Sequence, residues 1–155
     1  MTILMLAGSG ADRDTAWKPN AAPYSARESV TRRILLVEDD PFVRAYIARL
    51  LTEAGYDVVT AANGAEALHL AMHATRFDLV ITDVRMPVMD GRELGYRLGT
   101  VRPDLPVIFL SGYDTAVDSL PLPADGRQIG FLAKPFEPGT LLSRVYSLIG
   151  SPEAL

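Results

Sequence analysis

The chain of 155 residues contains no cysteine, which excludes a disulfide scaffold, a thiol nucleophile and any thiolate metal site. Histidine is nearly as scarce, with two residues. His69 and His73 lie at helical spacing, but no third ligand is evident beside them, so they read as a solvated helix face rather than a metal pair. No apolar run approaches the roughly 18 residues that a membrane helix needs. Positive charge is not in excess either: 15 Lys and Arg stand against 19 Asp and Glu, for a net charge of −4. That balance argues against a nucleic-acid-binding surface spread over the whole domain. The apolar start around Ile3–Leu6 is short and has no basic residue before it, unlike a secretory signal. Gly8-Ser9-Gly10 lacks the third glycine of a dinucleotide-binding loop, and no βαβ unit follows it.

What is present fits one soluble globular domain. Apolar residues make up 48% and charged residues 22%, too apolar for a fully disordered chain. A chain of this length buries roughly two-thirds of its unfolded surface and needs no covalent staple. Residues 1–31, with Pro19, Pro23, Trp17 and several Ser, Asn and Ala, show no sustained period and read as a flexible extension. A folded body over 32–150 and a short tail over 151–155 complete the division.

The folded body alternates strands and helices. Ile34-Leu35-Leu36-Val37 is a continuous apolar run suited to a strand buried on both faces. Asp40-Pro41 then supplies a capping residue followed by a proline in the first helical turn. Val43, Ile47, Leu50, Leu51 and Ala54 recur at helical spacing until Gly55. Val58–Thr60 is a second strand. A helix runs from Asn63-Gly64 to about Thr75. Leu79–Ile81 is a third strand, Gly91 to about Leu98 a helix, Val107–Leu110 a fourth strand and Gln128–Leu132 a fifth. Leu141, Leu142, Val145, Leu148 and Ile149 mark a last helix. Between Gly112 and Gly130, Pro121, Pro123 and Gly126 leave room only for a short helix near Thr115–Leu120. The pattern predicts an α/β fold with a five-stranded parallel sheet covered on both faces.

In such doubly wound sheets, ligands sit outside the carboxyl ends of the strands. Those ends carry Glu38-Asp39-Asp40, Asp83, Ser111 and Lys134-Pro135. Taken singly, Asp39 or Asp40 can be a helix cap, Asp83 a turn residue and Lys134 a surface lysine. Taken together, crowded carboxylates repel and raise one another's pKa unless a cation sits among them. Hard oxygen ligands with open water positions suit magnesium. An aspartate nucleophile, a divalent cation, a hydroxyl and a lysine make up what phosphoryl transfer to a carboxylate requires. Arg32, Arg33, Arg44 and Arg49 read as ordinary surface charge.

Over about Arg32 to Gly150 the sequence resembles the receiver domain of bacterial two-component response regulators. Four motifs in register carry the likeness: Val37-Glu38-Asp39-Asp40, Thr82-Asp83-Val84-Arg85-Met86-Pro87-Val88-Met89-Asp90-Gly91, Phe109-Leu110-Ser111-Gly112 and Phe131-Leu132-Ala133-Lys134-Pro135-Phe136. The resemblance implies a flavodoxin-like strand order of 2-1-3-4-5. It implies that Asp83 is the phosphoacceptor, served by a sensor histidine kinase or a histidine phosphotransfer protein. It implies Mg2+ bound by Glu38, Asp39, Asp83 and the backbone carbonyl of Arg85. Ser111 and Lys134 would hold the phosphoryl group, the bond to Pro135 would be cis, and Phe131 would be the aromatic switch residue. The only catalysis implied is of the domain's own phosphorylation and dephosphorylation. A cytoplasmic location follows, with a downstream protein target, no nucleic acid or membrane contact, and a monomer or a weak phosphorylation-dependent dimer. Rival readings are a receiver-like scaffold that takes no phosphate, a receiver fragment of a hybrid histidine kinase, and a true phosphotransferase or hydrolase using Asp83.

Three departures from the family pattern stand out. The switch residue is Phe131 rather than the commoner Tyr. The fourth helix is shortened and proline-rich. Arg85 and Tyr113, two residues after Asp83 and Ser111, are bulky where they flank the path of the hydrolytic water, which implies slow self-dephosphorylation.

Overall fold

The structure, a computed structural model, describes residues 30–73, 76–112 and 126–154. All but Val30 fall in the compact unit Thr31–Ala154. Residues 1–29 of the extension, with Trp17, the short helix expected near Thr115–Leu120, and Tyr113 lie outside the described residues, while Val30–Thr31 form a two-residue strand.

Five parallel strands form the centre: β1 (Arg33–Val37), β2 (Asp57–Ala61), β3 (Leu79–Asp83), β4 (Val107–Ser111) and β5 (Ile129–Ala133). Their spatial order is β2-β1-β3-β4-β5, the flavodoxin-like order. Four described helices cover the sheet: α1 (Pro41–Glu53), α2 (Gly64–His73), α3 (Gly91–Val101) and α4 (Pro138–Ile149). Successive strand side chains point to opposite faces, so each apolar run feeds two cores. Leu35, Val37, Val80, Val107 and Phe109 pack with Ala67, Ala71, Leu94 and Leu98 under α2 and α3. Ile34, Leu36, Leu79, Ile81, Ile108 and Leu110 pack with Ile47, Leu51, Leu141 and Val145 under α1 and α4. Burial on both faces is why these strands read as unbroken apolar runs rather than alternating ones.

The helix starts follow their capping residues. Asp40 accepts from the N–H groups of Phe42 at 2.8 Å and Val43 at 3.2 Å, with Pro41 at the first helical position. Asp90 accepts from Glu93 N–H at 2.9 Å and opens α3. The sequence pattern ends α3 near Leu98, but the helix runs to Val101, where Arg102 N–H still donates to the Leu98 carbonyl at 2.7 Å. Gly99 does not stop it, because one internal glycine costs only about 1 kcal/mol against the anchoring of Leu94 and Leu98. Pro103 then bars continuation through the residue before it. Strand β5 lies one residue later than the apolar pattern suggests, since Gln128 contributes only a carbonyl, accepting from Val107 N–H at 3.1 Å.

Between β3 and α3 the backbone carries strain. Val88 has φ of +72°, a region that β-branched residues avoid. Met89 N–H donates to the Pro87 carbonyl at 2.8 Å, closing a three-residue turn around it. The Val88 side chain is 81% exposed and contributes little packing. Val88→Gly is therefore expected to stabilise the fold by about 1 kcal/mol: relief of backbone strain outweighs the added freedom of glycine in the unfolded chain. A rise of a few degrees in the thermal midpoint is the expected reading, and a fall would show the turn to be unstrained.

Candidate functional site

The ladder hydrogen bonds continue one step past the strand ends, and this continuation gathers the polar residues. Glu38 N–H donates to the Ala61 carbonyl at 3.1 Å, Val84 N–H to Leu110 at 3.0 Å, and Lys134 N–H to Ser111 at 2.7 Å. Asp83 pairs in register with Leu110, and Ser111 with Ala133. Glu38, Asp83, Ser111 and Lys134 thereby meet at one edge of the sheet, although Glu38 and Lys134 are 96 residues apart in the chain.

Lys134 Nζ lies 2.8 Å from Glu38 Oε2 and 3.4 Å from Asp83 Oδ2. One carboxylate oxygen from each of Glu38, Asp39 and Asp83 falls within 4.8 Å of the others. Glu38 is 1% exposed, whereas Asp39 reaches solvent. Val84 N–H donates to Asp83 Oδ1 at 2.9 Å and orients that carboxylate. Asp40, the third acid of its run, is engaged as the cap of α1. Ser111 is 2% exposed at the end of β4. The Lys134–Pro135 bond is cis. Arg85 lies two residues beyond β3 with its side chain exposed. Phe131 is half-buried and stacks on Phe109, with ring centroids 5.7 Å apart and planes tilted by 22°. The rings of His69 and His73 are 4.3 Å apart on an exposed face of α2, and His73 Nδ1 lies 2.9 Å from the His69 carbonyl. Among the described residues the acidic triplet is the one cluster of three or more such ligands.

Arg44 is the residue that sequence reasoning passed over. Rather than ordinary surface charge, its Nη1 donates to the Glu38 carbonyl at 2.8 Å. Arg49 does behave as surface charge, pairing with Glu53 at 2.9 Å within α1.

Burial pushes the Glu38 carboxyl above its usual range, and the Asp83 charge adds to that, with Lys134 opposing. Burial likewise raises Asp83, again against the pull of Lys134. For Lys134 burial acts downward, but its bond and charge pairing with Glu38, and then Asp83, outweigh it and the net shift is upward. An acid with a raised folded-state pKa binds protons more readily folded than unfolded. Its ionised form opposes folding above the folded-state pKa, and the penalty is relieved as pH falls through that value toward the usual 4.5 for Glu38 and 3.8 for Asp83. In chelator-containing buffer, Asp83→Asn is expected to unfold at a higher temperature than wild type at pH 7, with the gap closing near pH 4. A gap that widens on acidification would contradict this.

Three hard carboxylate oxygens at such spacing suit a small divalent cation, and the mixture of one solvent-facing and two sheltered ligands leaves water positions open. No described helix is long and apolar enough to cross a membrane.

The model of the response regulator receiver domain family matches residues 34–146. The chain is similar to the sensor kinase CckA of Brucella abortus (strain 2308), 38% identical over 138 residues, which is 83% of this chain and 14% of that kinase. It is also similar to the response regulator receiver protein CpdR of the same organism, 36% identical over 118 residues, 76% of this chain and 97% of that one. It spans 25% of two transcriptional regulatory proteins to which it is 38% identical. Among solved structures, the receiver domain of the hybrid histidine kinase CckA superposes with a TM-score of 0.63 at 41% identity, covering 76% of this chain and 98% of that one.

Proposed function

The chain belongs to the response regulator receiver family, and from that premise we propose that Asp83 accepts a phosphoryl group from a phosphohistidine of a sensor histidine kinase or phosphotransfer protein. The observation that carries this is the placement of Lys134 Nζ 2.8 Å from Glu38 and 3.4 Å from Asp83, within a cluster of three carboxylates at the carboxyl edge of the sheet. Glu38, Asp39 and Asp83 would hold Mg2+, with the Arg85 carbonyl as a further ligand. That ion supplies charge neutralisation between the acceptor carboxylate and the phosphoryl oxygens. The Asp83 carboxylate attacks phosphorus, the bond from phosphorus to the donor nitrogen breaks, and the leaving imidazole takes a proton from solvent. Lys134 moves its charge from Glu38 toward the new phosphoryl oxygens, and Ser111 lies at the adjoining strand end to bond them. Phe131, stacked on Phe109, is the aromatic element that this rearrangement biases. The domain catalyses only its own phosphorylation and a slow dephosphorylation.

A docking face for the donor adjoins the site. Phe42 is 85% and Tyr46 50% exposed on α1. Beside them runs an apolar groove of about 380 Å³ lined by Val43, Tyr46, Ile47, Gly112, Pro135 and Phe136 together with Lys134. A partner helix seated there presents its phosphohistidine to Asp83. Such donors work in the cytoplasm, which is where we place this domain. The likeness to CckA supports a second setting, as the receiver portion of a hybrid kinase.

Acetyl phosphate with Mg2+ tests the reading directly. Wild type is expected to gain the mass of one phosphate in acid-labile, hydroxylamine-sensitive form, and Asp83→Asn none. No gain on wild type would leave a receiver-like scaffold, and turnover of many equivalents would indicate a phosphotransferase or hydrolase.

A further inference from the structure

Arg44 lies one turn into α1, and its contacts run back to the acidic turn before that helix. Its Nη1 donates to the Glu38 carbonyl at 2.8 Å and reaches the Asp39 carbonyl at 3.4 Å. Its backbone N–H donates to the Asp40 carbonyl at 2.9 Å. Both side-chain contacts fall beyond Val37, the last paired residue of β1. The turn is tied from the other side by Asp40, whose N–H donates to Glu38 Oε1 at 3.3 Å and whose carboxylate caps α1. The guanidinium thus spans the two residues whose carboxylates form most of the acidic cluster.

We propose that Arg44 is a positioning residue for the divalent-cation site: it clamps the Glu38 and Asp39 carbonyls and so sets the backbone turn that aims the Asp39 carboxylate at Glu38 and Asp83. The inference rests on the receiver reading above and deepens it. Glu38 needs little help, being buried and held by Lys134. Asp39 is solvent-facing, and its carboxylate direction depends on the backbone beneath it. Two effects of Arg44 on cation binding have opposite signs. Its positive charge repels a divalent ion across a short distance. Its clamp removes ordering that the ion would otherwise have to impose. Arg44 is only partly buried, so water screens its charge and weakens repulsion, whereas the turn geometry is not screened. Positioning therefore wins.

The test is calorimetric titration of Mg2+ into the full chain as wild type, Arg44→Gln and Arg44→Lys, with acetyl phosphate labelling followed alongside. Arg44→Gln keeps much of the side-chain stem and loses the charge. Both contacts come from the one nitrogen Nη1; Arg44→Lys keeps the charge but its ammonium ends one bond short of that position, so its reach to the two carbonyls is weakened. The expected result is Mg2+ binding weakened about fivefold in Arg44→Gln and by a smaller factor in Arg44→Lys. The Mg2+ concentration that half-saturates labelling should rise by the same factors, with the labelling rate at saturating Mg2+ unchanged. Tighter binding in Arg44→Gln with Arg44→Lys equal to wild type would mean that charge alone matters, and would overturn the proposal. A lowered thermal midpoint with unchanged Mg2+ affinity would mean a merely structural role, and would overturn it too. Should Arg44→Gln fail to fold, Arg44→Lys decides alone: weakened binding supports the clamp, and unchanged binding refutes it. Wild type that takes neither Mg2+ nor phosphate would refute the receiver reading itself and this inference with it, a pattern distinct from all the others.

Discussion

Lys134→Ala is expected to slow labelling of Asp83 by acetyl phosphate about a hundredfold at saturating Mg2+, without weakening Mg2+ binding. The ammonium group spans Glu38 at 2.8 Å and Asp83 at 3.4 Å, so it uses carboxylate oxygens that a bound cation would also need. Removing it leaves the acidic cluster more negative, and cation affinity holds or rises. The incoming phosphoryl group, in contrast, loses the one side-chain cation placed against the acceptor carboxylate among the described ion pairs of Asp83. Catalytic loss and binding loss therefore separate for Lys134, whereas for Arg44 the expected loss is in binding alone. Measuring labelling rate against Mg2+ concentration for both variants reads the two effects apart. A Lys134→Ala protein that labels at the wild-type rate would remove lysine from the chemistry.

Gly91→Ala is expected to destabilise the fold by about 3 kcal/mol or more, lowering the thermal midpoint by roughly 10 °C, and to impair labelling in whatever remains folded. Gly91 opens α3 directly beneath the site, donating its N–H to the Val84 carbonyl at 2.8 Å. A Cβ there would overlap the Asp83 carbonyl oxygen and stand 3.0 Å from the Val84 Cα. These are backbone atoms of the acceptor strand, so relief requires moving Asp83 itself. Gly95→Ala is the control within the same helix. Its Cβ would meet the Phe109 ring at 2.8 Å, a side chain rather than backbone but one buried in the core and stacked on Phe131, and the expected loss is smaller, about 2 kcal/mol. Thermal melts of the two variants side by side check the contrast. Equal losses would mean that the close approach at Gly91 is not rigid.

Much of this architecture could be read along the chain, and the reason is local. Ile34–Val37 and Val107–Leu110 read as buried strands because both faces are covered, which leaves no polar alternation. Asp40-Pro41 announced its helix because capping is settled within four residues, whereas the equivalent cap of α3 by Asp90 emerged only in the structure. The helix α3 runs three residues beyond the expected end near Leu98, through Gly99, because packing carries it past a residue of low helix propensity. The strand-end residues Glu38, Asp83, Ser111 and Lys134 were visible as candidates, since parallel topology sends every strand's carboxyl end to the same edge.

What the linear order alone determined is the set of chemical groups at that edge and the alternation that brings them there. Only the tertiary structure decided how they pair. Lys134 sits closer to Glu38 than to Asp83, Arg44 folds back onto the carbonyls of the acidic turn, and Gly91 presses on the acceptor backbone. Periodicity and capping act over a few residues and leave a trace in the sequence. Contacts between groups as far apart as residues 38 and 134 depend on strand register and helix seating, which many side chains set together and no short motif records.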